Sequence, residues 1–195
     1  GSKVIGVMGG ALSLVGEERV TWTKLAETAQ KGDKRLRLLE TVDWREGDEI
    51  VLASSDFDYR QTETFTVKSV LGKTVSLDKA TEYMHYGETQ TYNGVTIDER
   101  AEIGLLSRNI TLQGDASSAT SGYGGHVMLM SGQAYVNSVE FFRMGQAGQI
   151  GRYPIHWHRL GDEARGQYIR NSSIHDGFNR CVTIHASNGV KVQNN

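Results

Sequence analysis

The amino-acid sequence predicts an all-β protein, in which a small β-barrel or sandwich-like module precedes a parallel β-helix. The 195 residues include 23 glycines and a single proline. The strand-like segments are short, rich in Val, Ile and Thr, and separated by tight turns. In the C-terminal half, apolar strand centres recur at a nearly constant spacing, which is typical of a repeat architecture.

Composition and charge narrow the function classes. The formal net charge is −2 and 38% of the residues are hydrophobic, so no strongly basic stripe favours a nucleic-acid partner. No apolar run is long enough to span a bilayer, and membrane insertion of this part is not expected. No signal peptide is visible, and Gly1-Ser2 is interpreted as the remnant of a removed tag. The single cysteine, Cys181, excludes an internal disulfide and is expected to be a buried small apolar residue.

The sequence divides into three parts. Residues 1–17 are predicted to form N-terminal strands that belong to a cap of the β-helix, with a turn at Gly9-Gly10. Residues 18–90 are predicted to form the small β module. Its strand signals lie at 35–39, 49–53, 63–70 and 74–77, with a hairpin connection at 71–73. Residues 91–195 are predicted to form the coils of the β-helix.

The repeat of the third part rests on four apolar strand centres. Ile103, Val127, Ile155 and Val182 begin these centres, at offsets of 24, 28 and 27 residues. A second short strand follows each of them, at 110–112, 135–137, 168–171 and 190–192. Stacked coils of this length form parallel ladders with a spacing of about 4.8 Å and bury a continuous apolar column. The chain stops directly after a strand, so we expect a truncated solenoid whose natural chain continues.

Asparagines recur just after the second strands, at Asn137, Asn171 and Asn194. Such residues tolerate left-handed backbone and can bond to their neighbours, which predicts a side-chain ladder between coils. Ordinary loop asparagines are the alternative, because the spacings are uneven.

The segment around residues 153–162 carries the most specific chemistry. In a strand, Ile155 and Trp157 face one side and His156 and His158 the other. The repeat register aligns Ile155 with Val182 and Trp157 with Ile184, and these four side chains are expected to fill the apolar column. The same register aligns His158 with His185 on the outer face. We therefore predict that His156, His158 and His185 bind a divalent metal, namely zinc, nickel or calcium. A surface histidine ladder without a ligand is the alternative.

Further residues near these strands are candidates for catalysis. Asp162, Glu163 and Asp176 could complete a metal shell, and Arg180 could neutralise a substrate carboxylate. His175-Asp176 lies at a turn, where scaffolds often present chemistry. A plain turn and a solvated arginine are the alternatives. His85 and His126 are interpreted as structural, and Trp157 and Tyr168 as core aromatic residues.

Five segments resemble one known family. They lie at 22–25, 42–53, 61–63, 152–158 and 179–185. The chain thereby resembles the G8-domain and parallel β-helix family that includes the cell-migration-inducing hyaluronidase, its transmembrane relative and the fibrocystin-like proteins, and it looks like a bacterial member. The resemblance implies a right-handed β-helix, a secreted or cell-surface location and a carbohydrate ligand, hyaluronan in the animal members. It implicates His156, His158, Arg180 and His185. The family's next coil, with a Gly-His-Cys-like segment, is missing here, which puts catalytic competence in doubt.

The first functional hypothesis is an enzyme that acts on an anionic, uronate-containing polysaccharide. A hydrolase would use a carboxylate pair such as Asp162 and Asp176. A lyase would use a metal or Arg180 to neutralise the uronate, with His158 or His185 as base. A glycan-binding or adhesion module, and a purely structural solenoid with end-to-end contact at its open C-terminal coil, are the alternatives. The sequence leaves open whether the protein is an enzyme.

Overall fold

A computed structural model describes residues 3–195, and the interpreted tag remnant at Gly1-Ser2 lies outside the described residues. The all-β prediction is confirmed, with 48% strand and 5% helix. The strands in chain order are β1 (Val4–Val15), β2 (Trp22–Lys24), β3 (Arg35–Arg37), β4 (Glu49–Leu52), β5 (Glu63–Leu71), β6 (Thr74–Leu77), β7 (Thr89–Tyr92), β8 (Val95–Asp98), β9 (Glu102–Leu105), β10 (Thr111–Gln113), β11 (His126–Asn137), β12 (Glu140–Phe142), β13 (Ile155–Gly161), β14 (Tyr168–Arg170), β15 (Ser173–His175), β16 (Val182–Ser187) and β17 (Lys191–Gln193). A short helix, α1, covers Ser118–Ser121, and 3-10 turns cover Tyr59–Gln61 and Asp162–Ala164.

The chain forms two compact units. One, the parallel unit, comprises the N-terminal residues up to Glu18 together with Arg108–Asn195; the other, the antiparallel unit, comprises Arg19–Ser107. In sequence, the antiparallel unit is thus inserted between β1 and β10. The structure places the second boundary at 107/108, not at the predicted 90/91, because the strands between these points pair within the antiparallel unit or with each other.

The antiparallel unit is built on a six-stranded sheet with the order β2-β9-β4-β5-β6-β3. Its inward positions alternate along each strand, and Ile50, Leu52, Phe65 and Val75 are buried in one core. The predicted hairpin at 71–73 is confirmed by the pairing of Leu71 with Thr74.

The first strand of one predicted coil belongs to this sheet, whereas its second strand, predicted at 110–112, overlaps β10, which pairs parallel with β12 and not with the second strand of the next coil. Ile103-Gly104-Leu105 forms β9, which pairs antiparallel with β2 and β4, so its assignment to the parallel repeat is wrong. An apolar-x-apolar pattern specifies a strand with one buried face, but it carries no information about the direction of the neighbouring strand.

The parallel unit consists of strands that recur in register from one repeat to the next. Val127 on β11 pairs with Ile155 on β13, which pairs with Val182 on β16. The second half of β11 pairs likewise with β14, and β14 with β17, while β10, β12 and β15 form a separate three-stranded sheet. These parallel ladders confirm the stacking predicted for the last three repeats. The right-handed solenoid remains a prediction.

β1 is a single strand of 12 residues that runs parallel to β11. The predicted turn at Gly9-Gly10 is wrong, since this pair forms an irregularity within the strand, with φ of 102° and 73°. Gly132 lies opposite, and a Cβ at this position would be 2.4 Å from the Gly10 carbonyl oxygen. The two backbones thus approach closely where both strands depart from regular register.

The core of the parallel unit is the column formed by inward residues of successive strands. Leu129, Val136, Ile155, Trp157 and Ile169 are all fully buried. The Trp157 indole Nε1 donates to Gln167 Oε1 at 2.9 Å, so its one polar atom is satisfied inside the column. Ile184 was expected in the column but is 41% exposed, because β16 is the edge strand of its sheet.

The asparagine ladder is confirmed. Asn171 Nδ2 donates to Asn137 Oδ1 at 2.9 Å, and Asn194 Nδ2 donates to Asn171 Oδ1 at 3.4 Å. Asn171 and Asn194 both adopt a φ of 53°, a left-handed conformation that asparagine tolerates better than most residues. The ladder therefore ties three successive repeats together at the same corner.

Candidate functional site

Strands β13 and β16 carry the candidate site. Ile155 and Trp157 point into the column, so alternation turns His156 and His158 to the opposite face. His158 pairs directly with His185, and His156 with Thr183. The register predicted from the repeat is confirmed, and it places two histidines side by side.

His156, His158 and His185, hereafter the three-histidine cluster, have the geometry of a metal site. One ring nitrogen from each lies within 4.8 Å of the others, and the Nδ1 atoms of His158 and His185 are 3.2 Å apart. A tetrahedral zinc with Zn–N bonds of about 2.0–2.1 Å would hold its nitrogens about 3.3 Å apart. The His158–His185 pair is therefore already spaced as two ligands of one ion.

His156 is the buried member of the cluster, and one hydrogen bond fixes its tautomer. It is only 2% exposed, in contrast to the outer-face position predicted for it, because it packs against the ring of Tyr153 at a centroid distance of 5.1 Å. Its Nδ1 lies 3.1 Å from the carbonyl oxygen of Gly151. A carbonyl oxygen can only accept, so Nδ1 carries the proton and Nε2 presents its lone pair.

The second ring nitrogen of His156 has no hydrogen-bond partner within residues 3–195. Among the described residues, neither this buried Nε2 nor the buried Oγ1 of Thr183, which pairs with His156 on β16, has a hydrogen-bond partner. Buried polar atoms normally find a partner, so two neighbouring exceptions suggest that a further group belongs there. Burial is the largest cause that lowers the pKa of His156, which keeps the imidazole neutral and able to bind a metal.

The predicted carboxylates do not join this cluster. Asp162 is 71% exposed and lies at the 3-10 turn after β13, where it binds Asn188 and Arg165. Asp176 is 65% exposed and bonds to His175. Glu163 accepts from the backbone N–H of Gly132. Within residues 3–195, the three-histidine cluster is the only group of three or more His, Cys, Asp or Glu side chains whose ligand atoms all lie within 4.8 Å of one another.

Arg180 reaches the edge of the site through an aromatic ring. Its guanidinium carbon lies 5.9 Å from the ring centroid of Tyr153, and the same ring contacts His156. The arginine therefore lies one side chain away from the cluster, where it could meet an anionic group of a ligand bound there.

Two residues near the cluster were missed by the sequence interpretation. His126, taken as structural, is buried, its Nδ1 has no hydrogen-bond partner, and its charge contributes to lowering the pKa of His156. Thr183 was aligned with His156 but given no role. Their positions on the histidine face of the repeat were the sequence signal that could have identified them.

His85, also taken as structural, is fully buried, with its Nε2 2.8 Å from Glu63 Oε2.

A second cluster lies on the sheet formed by β10, β12 and β15. His175 Nε2 is 2.9 Å from Glu140 Oε1, and His175 Nδ1 is 2.9 Å from Asp176 Oδ2. Burial by itself lowers the pKa of His175, but the bonds to Glu140 and then Asp176 outweigh it, so the net pKa is raised. Glu140 could not be foreseen, since it lies 35 residues before its partner.

Cys181, predicted to be buried, is exposed.

Fold and site together define an all-β protein with stacked parallel strands and a three-histidine cluster on two of them, β13 and β16. Residues 122–195 match the family model described as CEMIP beta-helix. Over its full length, the chain is 40% identical to a G8 domain-containing protein of Dictyostelium discoideum, of which it covers 17%. It is 34% identical to fibrocystin-L of Homo sapiens, of which it covers 6%. These matches support a relationship with the G8 and CEMIP group. They do not support the predicted bacterial origin.

The chain thus spans about a sixth or less of the length of these relatives. Among solved structures it is similar to the tailspike protein gp49 from Pseudomonas phage LKA1, with a TM-score of 0.36 and 15% identity over 97% of this chain and 32% of that one. It is also similar to the Gp54 tailspike of Acinetobacter baumannii bacteriophage AP22, with a TM-score of 0.34 and 13% identity over 94% of this chain and 35% of that one. Likenesses at this level carry no functional argument. Residues 3–195 contain no helix of the length and hydropathy that a bilayer crossing needs.

Proposed function

We propose that this chain is part of a secreted or cell-surface, carbohydrate-active β-helix protein that acts on an anionic, uronate-containing polysaccharide similar to hyaluronan. Its three-histidine cluster binds a divalent transition metal. The observation that carries the metal site is the convergence of one ring nitrogen from each of three histidines within 4.8 Å, together with the buried and unpartnered Nε2 of His156. The ligand class follows from the resemblance of the histidine-bearing motifs to hyaluronidases.

The donor set discriminates among the expected metals. Three neutral imidazoles suit zinc or nickel, whereas calcium prefers six to eight oxygen ligands. The three-histidine arrangement has no carboxylate within it, so zinc and nickel are favoured over calcium. A metal bound by three protein ligands keeps an open position, where it supplies Lewis-acid chemistry.

The protein's own residues divide the work as follows. His156 is oriented by the Gly151 carbonyl, and His158 and His185 approach from neighbouring strands. Arg180, held beside Tyr153, is placed to contact the carboxylate of a uronate. The Asp162 and Asp176 pair is not supported as hydrolytic machinery, because each carboxylate is highly exposed and engaged in a local pair. A lyase-type reaction or glycan binding without cleavage suits this arrangement better.

Metal binding is tested by titrating zinc and nickel into the purified chain after chelator treatment and removal of any affinity tag, with elemental analysis of the complex. We expect one ion per chain. His158→Ala and His185→Ala should each weaken binding by a hundredfold or more, and His156→Ala by at least tenfold. His175→Gln is the matched control, since it removes a histidine outside the cluster. Absence of stoichiometric zinc or nickel, or equal binding by the His158→Ala/His185→Ala variant, would contradict the metal site.

Action on glycan is tested separately by incubating hyaluronan with the metal-loaded protein and analysing chain length and end groups. An unsaturated uronate end indicates a lyase, and a saturated end a hydrolase. Unchanged length with measurable binding indicates a binding module. The predicted end-to-end contact at the edge formed by β16 and β17 remains a proposal, to be checked by the concentration dependence of the molecular mass.

A further inference from the structure

A second surface of the parallel unit combines two neighbouring tyrosine rings with cations that form no ion pair within residues 3–195. Tyr135 on β11 pairs with Tyr168 on β14, which pairs with Lys191 on β17. Arg170 lies two residues after Tyr168, on the same side of the strand. Since Ile169 between them is fully buried, these side chains point away from the core. Tyr135, Tyr168, Arg170 and Lys191 are hereafter the tyrosine face.

The tyrosine face contradicts one expectation from the sequence. Tyr168 was assigned to the core, but it is only half-buried. Its ring centroid lies 5.4 Å from that of Tyr135 at an interplanar angle of 54°, and the guanidinium carbon of Arg170 lies 4.5 Å from the Tyr168 centroid. Rings and cation are thus held together before any ligand arrives.

The cations of this face lack anionic partners. Across residues 3–195, neither Arg170 nor Lys191 has a carboxylate within ion-pair distance, whereas Arg165 and Arg60 each pair with an aspartate. The Nε of Arg170 is also buried without a hydrogen-bond acceptor. The positive charges of Arg170 and Lys191 therefore remain available to the carboxylates of an anionic ligand.

We propose that the tyrosine face is a binding subsite for a linear polysaccharide that carries carboxylate groups, separate from the three-histidine cluster. The tilted tyrosine rings offer apolar surface to the C–H faces of sugar rings. Arg170 and Lys191 contact the carboxylates, Arg170 in a bidentate manner. Successive parallel strands place these groups on a regular spacing of about 4.8 Å, which suits a polymer that crosses β11, β14 and β17 in turn. The ligand class rests on the proposed function, but the subsite does not depend on the metal.

The test is binding of hyaluronan oligosaccharides, measured by calorimetry without added metal, to the parent protein and to Arg170→Gln/Lys191→Gln. We expect the double variant to bind at least tenfold more weakly and with a smaller dependence on salt. Tyr168→Ala should also bind more weakly, with circular dichroism to verify that the strands are retained. The matched control is Arg37→Gln/Lys68→Gln, which removes the same two charges from exposed positions of the antiparallel unit and should leave the affinity unchanged within about twofold.

Further binding measurements distinguish this subsite from general polyanion attraction and from glycan binding at the three-histidine cluster. Neutral dextran should not bind, and polyphosphate should bind more weakly than hyaluronan. Equal binding of polyphosphate would reveal general polyanion attraction and overturn the subsite. One outcome would overturn the tyrosine face but support the proposed function. In that outcome Arg170→Gln/Lys191→Gln binds hyaluronan as tightly as the parent protein, whereas His156→Ala/His158→Ala/His185→Ala does not bind it, so the glycan lies at the three-histidine cluster. If neither hyaluronan nor polygalacturonate binds the parent protein, the glycan proposals both fail, and the zinc titration alone decides the metal site.

Discussion

His158 and His185 lie directly opposite each other on adjacent parallel strands, and their Nδ1 atoms are 3.2 Å apart. Two imidazole nitrogens at this distance share either a hydrogen bond or a common ion. The buried and unpartnered Nε2 of His156 nearby favours the ion. This arrangement depends on the repeat, since 27 residues of chain return the second histidine to the same position one strand away.

Zinc should stabilise the folded protein. A ligand that binds only the native state adds about 2.7 kcal/mol to the free energy of unfolding at a free concentration near 100 times its Kd. We expect a shift of this size in urea unfolding of the parent protein, and a much smaller shift in His158→Ala. The same midpoint with and without zinc in the parent protein would argue against a site that is specific to the fold.

Replacing Thr183 by valine should not destabilise the metal-free protein. The Thr183 hydroxyl is buried without a protein partner, so Thr183→Val removes an unsatisfied polar atom at nearly constant shape. We expect a free energy of unfolding equal to that of the parent protein or higher by about 1 kcal/mol. Urea unfolding in the presence of a chelator measures this. A loss of more than about 1 kcal/mol would show that the hydroxyl has a stabilising partner in solution.

The asparagine ladder predicts that two substitutions of Asn171 lower the free energy of unfolding by different amounts. Asn171→Gly removes the two amide contacts but tolerates a φ of 53°, whereas Asn171→Ala also introduces backbone strain. We expect Asn171→Gly to cost about 1–2 kcal/mol, and Asn171→Ala about 1 kcal/mol more. Chemical denaturation of the two variants side by side provides the comparison. Equal stability of the variants would show that the left-handed backbone at this corner relaxes.

We expect the contribution of His175 to the free energy of unfolding to depend on pH. Its pKa is raised in the folded protein by Glu140 and Asp176, against the opposing effect of burial. The stabilisation is therefore fully present below the ordinary imidazole pKa of 6.5, and it is lost as the pH rises through the higher folded-state pKa. Glu140 should dominate, because its side chain is 15% exposed while that of Asp176 is 65% exposed.

The variant that tests this is His175→Phe, which retains an aromatic ring to stack on Phe142, 5.0 Å from the imidazole in the parent protein. At about pH 6, the parent protein should be more stable than His175→Phe by roughly 1–3 kcal/mol. This difference should shrink towards about pH 9, above the ordinary range of histidine. A difference that stays constant or grows with pH would contradict the charged form of His175 in the folded state.

Much of the site was predictable because a parallel repeat converts sequence spacing into spatial proximity. The spacing between His158 and His185 was enough to place them side by side, and the same reasoning gave the Asn137–Asn171 contact. The predictions failed where spacing is not informative. Asp162 and Asp176 were near in sequence to the histidines, but turns direct them towards Arg165 and His175 instead.

Alternation and repeat length are local properties of the chain, so they were enough to predict the all-β class, the stacking of the last three repeats and the register of the histidines. The three-dimensional fold was needed to show that β9 pairs antiparallel in the other unit, that His156 is buried, and that Glu140 reaches His175. These outcomes depend on which distant segments pack together. The direction of a neighbouring strand and the burial of an outward side chain are set by that packing, and no local periodicity encodes them.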